Sequence, residues 1–117
     1  MSVSPGLLNL TFSQGATWKL SLTYNNSDGQ PINLTNYTAR MQARASYDST
    51  ATALNLTSGS GITLGGTAGT ISLLVDATTT ATIGAAQYVY DMELVSNSGE
   101  VTRLIEGTLS VTPEVTR

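Results

Sequence analysis

The chain contains no cysteine and no histidine. Without cysteine there is no disulfide and no thiolate nucleophile, and folding does not depend on the redox compartment. Without either residue, zinc centres built on Cys or His are excluded, as is Ser-His-Asp or Cys-His machinery. Charge is also scarce. Asp, Glu, Lys and Arg make up 11% of the residues, against ~25% in an ordinary soluble domain, so Ser, Thr, Asn and Gly must form much of the surface. The five Lys and Arg are outnumbered by eight Asp and Glu, for a net charge of −3. That balance argues against a nucleic-acid partner, which calls for a basic face. No apolar run approaches the ~20 residues that span a bilayer, so no membrane segment is expected. "MSVSPGLLNLTF" has neither a basic n-region nor an h-region, and no secretory leader is expected. The sequons at Asn9, Asn25, Asn33, Asn36 and Asn55 are accordingly read as chance in an Asn- and Thr-rich chain. "SGSGITLGGTAG" lacks the lysine and following helix of a phosphate loop, and the acidic residues form no D-x-D-x-D calcium loop. No metal or cofactor is expected.

What is present is alternation. At 117 residues one domain is expected over 1–117, long enough to bury roughly two-thirds of its unfolded surface. Leu8, Leu10 and Phe12 share one face of a first strand. Trp18, Leu20, Leu22 and Tyr24 alternate with Lys19, Ser21 and Thr23 in a second. "NNSDGQP" is a turn. Tyr37, Ala39, Met41 and Ala43 point inward on the next strand, while Thr38, Arg40, Gln42 and Arg44 point outward. Ser46 to Thr50 reads as a polar loop. Shorter strands carry Leu54 and Leu56, then Ile62 and Leu64, then Ile71, Leu73 and Val75. Asp76 to Ile83 is the only candidate helix, capped by Asp76 and limited to a turn or two by its threonines. Tyr88, Tyr90, Met92 and Leu94 line a long strand, and a last strand over Val101 to Val111 turns Ile105, Leu109 and Val111 inward. Gly107 marks a bulge or a close backbone approach. The pattern predicts an all-β, antiparallel immunoglobulin-like β-sandwich of seven or eight strands with at most one short helix. "MSVSPG" and "PEVTR" are expected to form short N- and C-terminal arms.

Three readings compete for Arg40 and Arg44. In such a sandwich their strand lies antiparallel to the long strand that turns Asp91 and Glu93 outward. Placing Arg40 opposite Glu93 sets Gln42 opposite Asp91, and Arg44 then reaches Asp91 diagonally. The face would neutralise itself through cross-strand pairs of ~0.2–1 kcal/mol each. Alternatively Asp91 and Glu93, roughly 6.5–7 Å apart as i and i+2 on a strand, act as a carboxylate pair near the ~6.5–9.5 Å of inverting glycosidases. One of the two must then hold a raised pKa, and neighbouring arginines are expected to lower both. The third reading is a partner-binding patch, since Arg is enriched at interfaces. Trp18 reads as a core residue. Tyr88 sits where a tyrosine corner falls, its hydroxyl capping nearby backbone.

"FSQGATWKLSLTYNNSDGQPINLTNYTARMQAR" followed by "VYDMELVSNSGEVTRLIEGTLSVTPEVTR" resembles a family of small virion proteins of tailed bacteriophages. The matching motifs are Q-G-[DA]-T, D-G-x-P-[IV]-[DN]-L-T-[GN]-Y, Y-D-[LM]-E-[LV] and a closing V-T-R-L-[IL]-x-G-x-[LV]-x-V-[ST]-P-E-V-T-R. The chain is also similar to the immunoglobulin-like N-terminal domain of phage upper baseplate proteins, which attaches fibres to a tail. Asn36 stands where glycine is frequent, and Asn tolerates positive φ.

The resemblance implies a non-enzymatic structural component of the virion, made in the bacterial host cytoplasm and acting by protein–protein assembly. Tail, baseplate or a fibre-attachment adaptor is the first placement, and capsid decoration the second. Its partners would be other virion proteins, with many copies in a symmetric array. Candidate assembly contacts are Leu7 and Leu8 at the N-terminal end and Pro113, Val115 and Arg117 at the C-terminal end, acting by strand addition to a neighbour. A host-surface carbohydrate-binding module is a further alternative. Exposed aromatics would favour it, but Phe, Trp and Tyr amount to 6% of the chain and most alternate inward.

Overall fold

Among the described residues the alternating segments fold as nine strands, and all but the first turn an apolar side inward. They are β1 (Gly6–Leu7), β2 (Leu10–Ser13), β3 (Trp18–Thr23), β4 (Thr38–Arg44), β5 (Leu54–Ser58), β6 (Gly61–Leu64), β7 (Thr70–Val75), β8 (Ala86–Val95) and β9 (Val101–Thr112). The computed structural model describes residues 6–116. The expected contact at Arg117 and most of the expected N-terminal arm, residues 1–5, lie outside the described residues. One short helix, α1 (Ala77–Ala81), and a 3-10 turn at Gly66–Ala68 complete the regular elements among the described residues. Asp76 caps α1 by accepting the Thr79 N–H at 2.8 Å. That bonding holds its carboxyl below the ordinary pKa.

The strands form one continuous path, β1-β9-β8-β4-β5-β6-β7-β3, with β2 also on β9. The all-β expectation stands, but two details are corrected. Among the described residues there are nine strands rather than seven or eight, the first of only two residues, and the sheet is mixed rather than antiparallel. β1 and β2 run parallel to β9, with Gly6 beside Ile105, Leu10 beside Leu109 and Phe12 beside Val111. β5 meets β6 in parallel through only Thr57–Gly61 and Ser58–Ile62. The β5–β6 contact is the two-pair edge of a tight turn, whereas full parallel strands require a long crossover. For the N-terminal segment, that crossover is the rest of the domain.

The first strand is split in two for a local reason. At Gly107 the N-terminal segment comes so close that a Cβ would lie 2.5 Å from the Leu8 carbonyl oxygen and 2.8 Å from Asn9 Oδ1. Asn9 uses that oxygen to accept the Thr108 N–H at 3.1 Å, so a side chain replaces a backbone partner in the ladder. The buried Tyr90 donates its hydroxyl to the Leu8 carbonyl. Burial raises the Tyr90 pKa to about 12.

A single buried cluster draws Met41 and Ala43 from β4, Met92 and Leu94 from β8, Leu109 and Val111 from β9, and Ile71, Leu73 and Val75 from β7. Both halves of the strand path therefore face one core, which is why the sheet curls. Leu10 and Phe12 join it, and Phe12 meets the half-buried Trp18 with ring centroids 5.6 Å apart. Leu8 packs against the same cluster. It is thus not a free arm residue, and its N–H bonds the Glu106 carbonyl at 3.0 Å. Leu7 is 77% exposed on β1, which is itself paired to β9. At the other terminus, Glu114 N–H reaches Gln14 Oε1 at 3.2 Å, while Pro113 and Val115 stay exposed.

Candidate functional site

The outer face of β4, β8 and β9 gathers three arginines and three carboxylates in a chain with five Lys and Arg. Strand pairing sets the arrangement. Arg40 lies opposite Glu93, Gln42 opposite Asp91 and Arg44 opposite Val89. Arg40 Nε bonds Glu93 Oε1 at 2.8 Å, with the Arg40 side chain half exposed. A double-mutant cycle on Arg40 and Glu93 is expected to give a coupling of ~0.2–1 kcal/mol that shrinks in high salt. A coupling of zero at low salt would show that the pair contributes nothing.

Arg44 does not reach Asp91, and that expectation is corrected. Its Nη1 donates to the Ser49 and Thr50 carbonyls, both at 2.9 Å, and its Nη2 donates to Gln42 Oε1 at 2.9 Å. Two loop carbonyls within reach take the guanidinium in place of the diagonal carboxylate. Asp91 is met instead by Arg103, at 3.6 Å, which also lies 3.5 Å from Glu106. Sequence reasoning missed Arg103 because of a bulge. The pairing runs Met92–Ile105 and then Glu93–Arg103, so Leu104 is an extra residue in β9. Strict alternation back from Ile105 would aim Arg103 into the core, where an unpaired charge is very costly. The bulge turns it outward instead and lets Leu104 pack against the core.

The expectation that arginines lower both carboxylates is also corrected for Asp91. Its pKa is raised, first by burial, with Arg103 opposing and Glu93 and Glu106 adding. Glu93 is committed to the Arg40 guanidinium.

No protein-family model matches the chain, and no curated protein matches it either.

Next to this face lies a groove of about 140 Å³, lined by Gln42, Arg44, Tyr47, Val89, Tyr90 and Asp91. Tyr47 is 84% exposed. It sits in the Ser46–Ser49 turn, where the sequence has no periodicity to single it out. The turn is closed by Ser49 N–H to the Ser46 carbonyl at 3.2 Å, by a Ser46–Ser49 hydroxyl contact of 3.0 Å, and from below by Arg44. Just before the groove residues, near the start of β8, Tyr88 donates its hydroxyl to the Gly84 carbonyl at 2.6 Å, a local backbone cap. Among the described residues no group of three or more His, Cys, Asp or Glu is placed to hold a metal.

Proposed function

We propose that this chain is a non-enzymatic structural component of a tailed-bacteriophage virion, acting in the tail or baseplate or as a fibre adaptor. We read its curled sheet as an immunoglobulin-like sandwich. In that reading β3, β7 and β6 form one layer and β5, β4, β8 and β9 the other, with the N-terminal segment laid along β9. The tyrosine cap at Tyr88 fits this reading. The motif resemblance supports the virion assignment across nearly the whole chain.

The observation that carries an assembly role is the placement of two apolar side chains in solvent along one edge. Leu7, 77% exposed, stands beside the middle of β9, and Val115, 92% exposed, stands beyond its end. A surface with few charges, whose outer β4–β8–β9 face is neutralised by ion pairs, adds little self-repulsion, which suits many copies packed in a symmetric array with other virion proteins. Capsid decoration is the second placement within this reading.

The test is to purify particles of the phage that encodes this chain and probe them with an antibody raised against it. The chain is expected to co-purify with intact particles, and gold label is expected at the tail tip. Label over the head would move the protein to capsid decoration. Its absence from purified particles would overturn the virion reading. Leu7→Ser and Val115→Ser together are expected to leave the fold intact and lower the number of copies per particle.

A further inference from the structure

The groove beside Tyr47 has the features of a small ligand site rather than of a sheet surface that happens to be open. We propose that it is a subsite for one neutral pyranose ring. This inference does not depend on the virion assignment.

The first observation is preorganisation. An aromatic ring left in water on a surface loop is ordinarily free to move. Here its turn is fixed by the Ser46–Ser49 bonds and by two bonds from Arg44 to the Ser49 and Thr50 carbonyls. Fixing the backbone that carries a contact residue removes part of the entropy lost on binding. The π face of Tyr47 is electron-rich and attracts polarised C–H groups, such as those on the apolar face of a sugar ring.

The second observation is a complementary pair of polar groups, a donor that no side chain takes up and a carboxylate held only by a long ion pair. Gln42 gives its Oε1 to Arg44, and its Nε2 amide has no partner among the described residues. Opposite it in register, Asp91 accepts no hydrogen bond within the described residues and meets only Arg103, at 3.6 Å. A donor and an acceptor side by side match adjacent sugar hydroxyls, each of which can both accept and donate. Val89, opposite Arg44, supplies the apolar floor.

Size and charge narrow the ligand. The groove holds about 140 Å³, room for roughly four or five waters and below the ~300–1,000 Å³ of sites for larger organic ligands. An anionic group would face the Asp91 carboxylate and find three of the Arg44 donors already engaged. A cationic group would face Arg44 itself. A neutral polyhydroxylated ring avoids both conflicts. A protein partner could also contact Tyr47, but a concave polar groove of one-ring size favours the sugar.

The experiment is two-dimensional amide NMR of the intact chain, titrated with four probes. These are methyl α-D-glucopyranoside, methyl α-D-galactopyranoside, methyl α-D-mannopyranoside and methyl β-N-acetylglucosaminide. A contact of this size implies dissociation constants of ~1–10 mM, so titration to about 50 mM covers the range. At least one probe is expected to shift amides in Gln42 to Thr50 and Val89 to Asp91, and few others. Tyr47→Ala is expected to abolish the shifts without unfolding, since its ring is exposed. Gln42→Glu retains the acceptor for Arg44 and removes the free donor, so it is expected to weaken binding about three- to tenfold. No shift with any of the four probes overturns the proposal. So do shifts that survive Tyr47→Ala.

Discussion

Gly107→Ala is expected to detach the N-terminal strand while leaving the β4–β8 pairing in place. The new methyl would lie 2.5 Å from the Leu8 carbonyl oxygen. That atom is backbone, so no side-chain rotation relieves the clash. Either β9 or the β1–β2 segment must move. Movement of β1 breaks the Leu8 N–H bond to Glu106, the Asn9 bond to Thr108 and the Tyr90 bond to the Leu8 carbonyl. The expected loss is about 2–3 kcal/mol, as for other overpacked sites with hydrogen bonds left unmade. Amide exchange should show lost protection at Leu8 and Thr108, with the Arg40–Glu93 region unchanged. Stability within about 0.5 kcal/mol of the parent, the range of ordinary surface substitutions, would mean that the close approach is not a constraint.

Leu109→Ala is expected to have a comparable or larger effect, for a different reason. Leu109 is fully buried and sits where the two kinds of pairing meet, with Leu10 on the parallel side and Tyr88 on the antiparallel side. Neighbours on both sides are held by backbone bonds and cannot close on the void. Truncation of a buried leucine then falls at ~2–5 kcal/mol. A urea titration should show a lower midpoint at unchanged slope. A loss below about 1 kcal/mol would show that the edge repacks freely, contrary to a fixed mixed sheet. Leu7→Ala, on the same edge but exposed, should change stability by less than about 0.5 kcal/mol.

Period two carried the sequence reading a long way. It placed Ala39, Met41 and Ala43 in the core and Arg40 opposite Glu93, because one register satisfies both the apolar face and the charges. It failed wherever the period is interrupted. Leu104 is one extra residue, and it reverses the side taken by Arg103. Nothing in "VTRLIEG" marks the insertion, since Leu and Ile are both acceptable inside. Arg44 was misplaced because loop carbonyls have no sequence signature, whereas carboxylates do. Asp91 was misjudged because its burial depends on how β4, β8 and β9 crowd together, which the alternation of a single strand does not reveal. The parallel pairing of β2 with β9 is a contact across nearly the entire chain. Alternation says which face of β2 is buried and is silent on the direction of its neighbour. Tyr47 belongs to a turn, where composition suggested only polarity.

That parallel edge also sets a schedule for synthesis. Asn9 and its partner Thr108 are 99 positions apart. At ~5–20 residues per second, a ribosome separates the two by about 5–20 s. Throughout that interval Leu10 and Phe12 have no β9 to lie against, although β3 and β7 can pair before it ends. The edge closes last, so the nascent domain passes through a stage with an apolar N-terminal segment loose and its docking strand unmade. Such a stage is open to exchange, because the segment of one chain can dock on the β9 of another that has just finished. Crowded translation of many copies would therefore favour strand-swapped pairs over slow production of single chains.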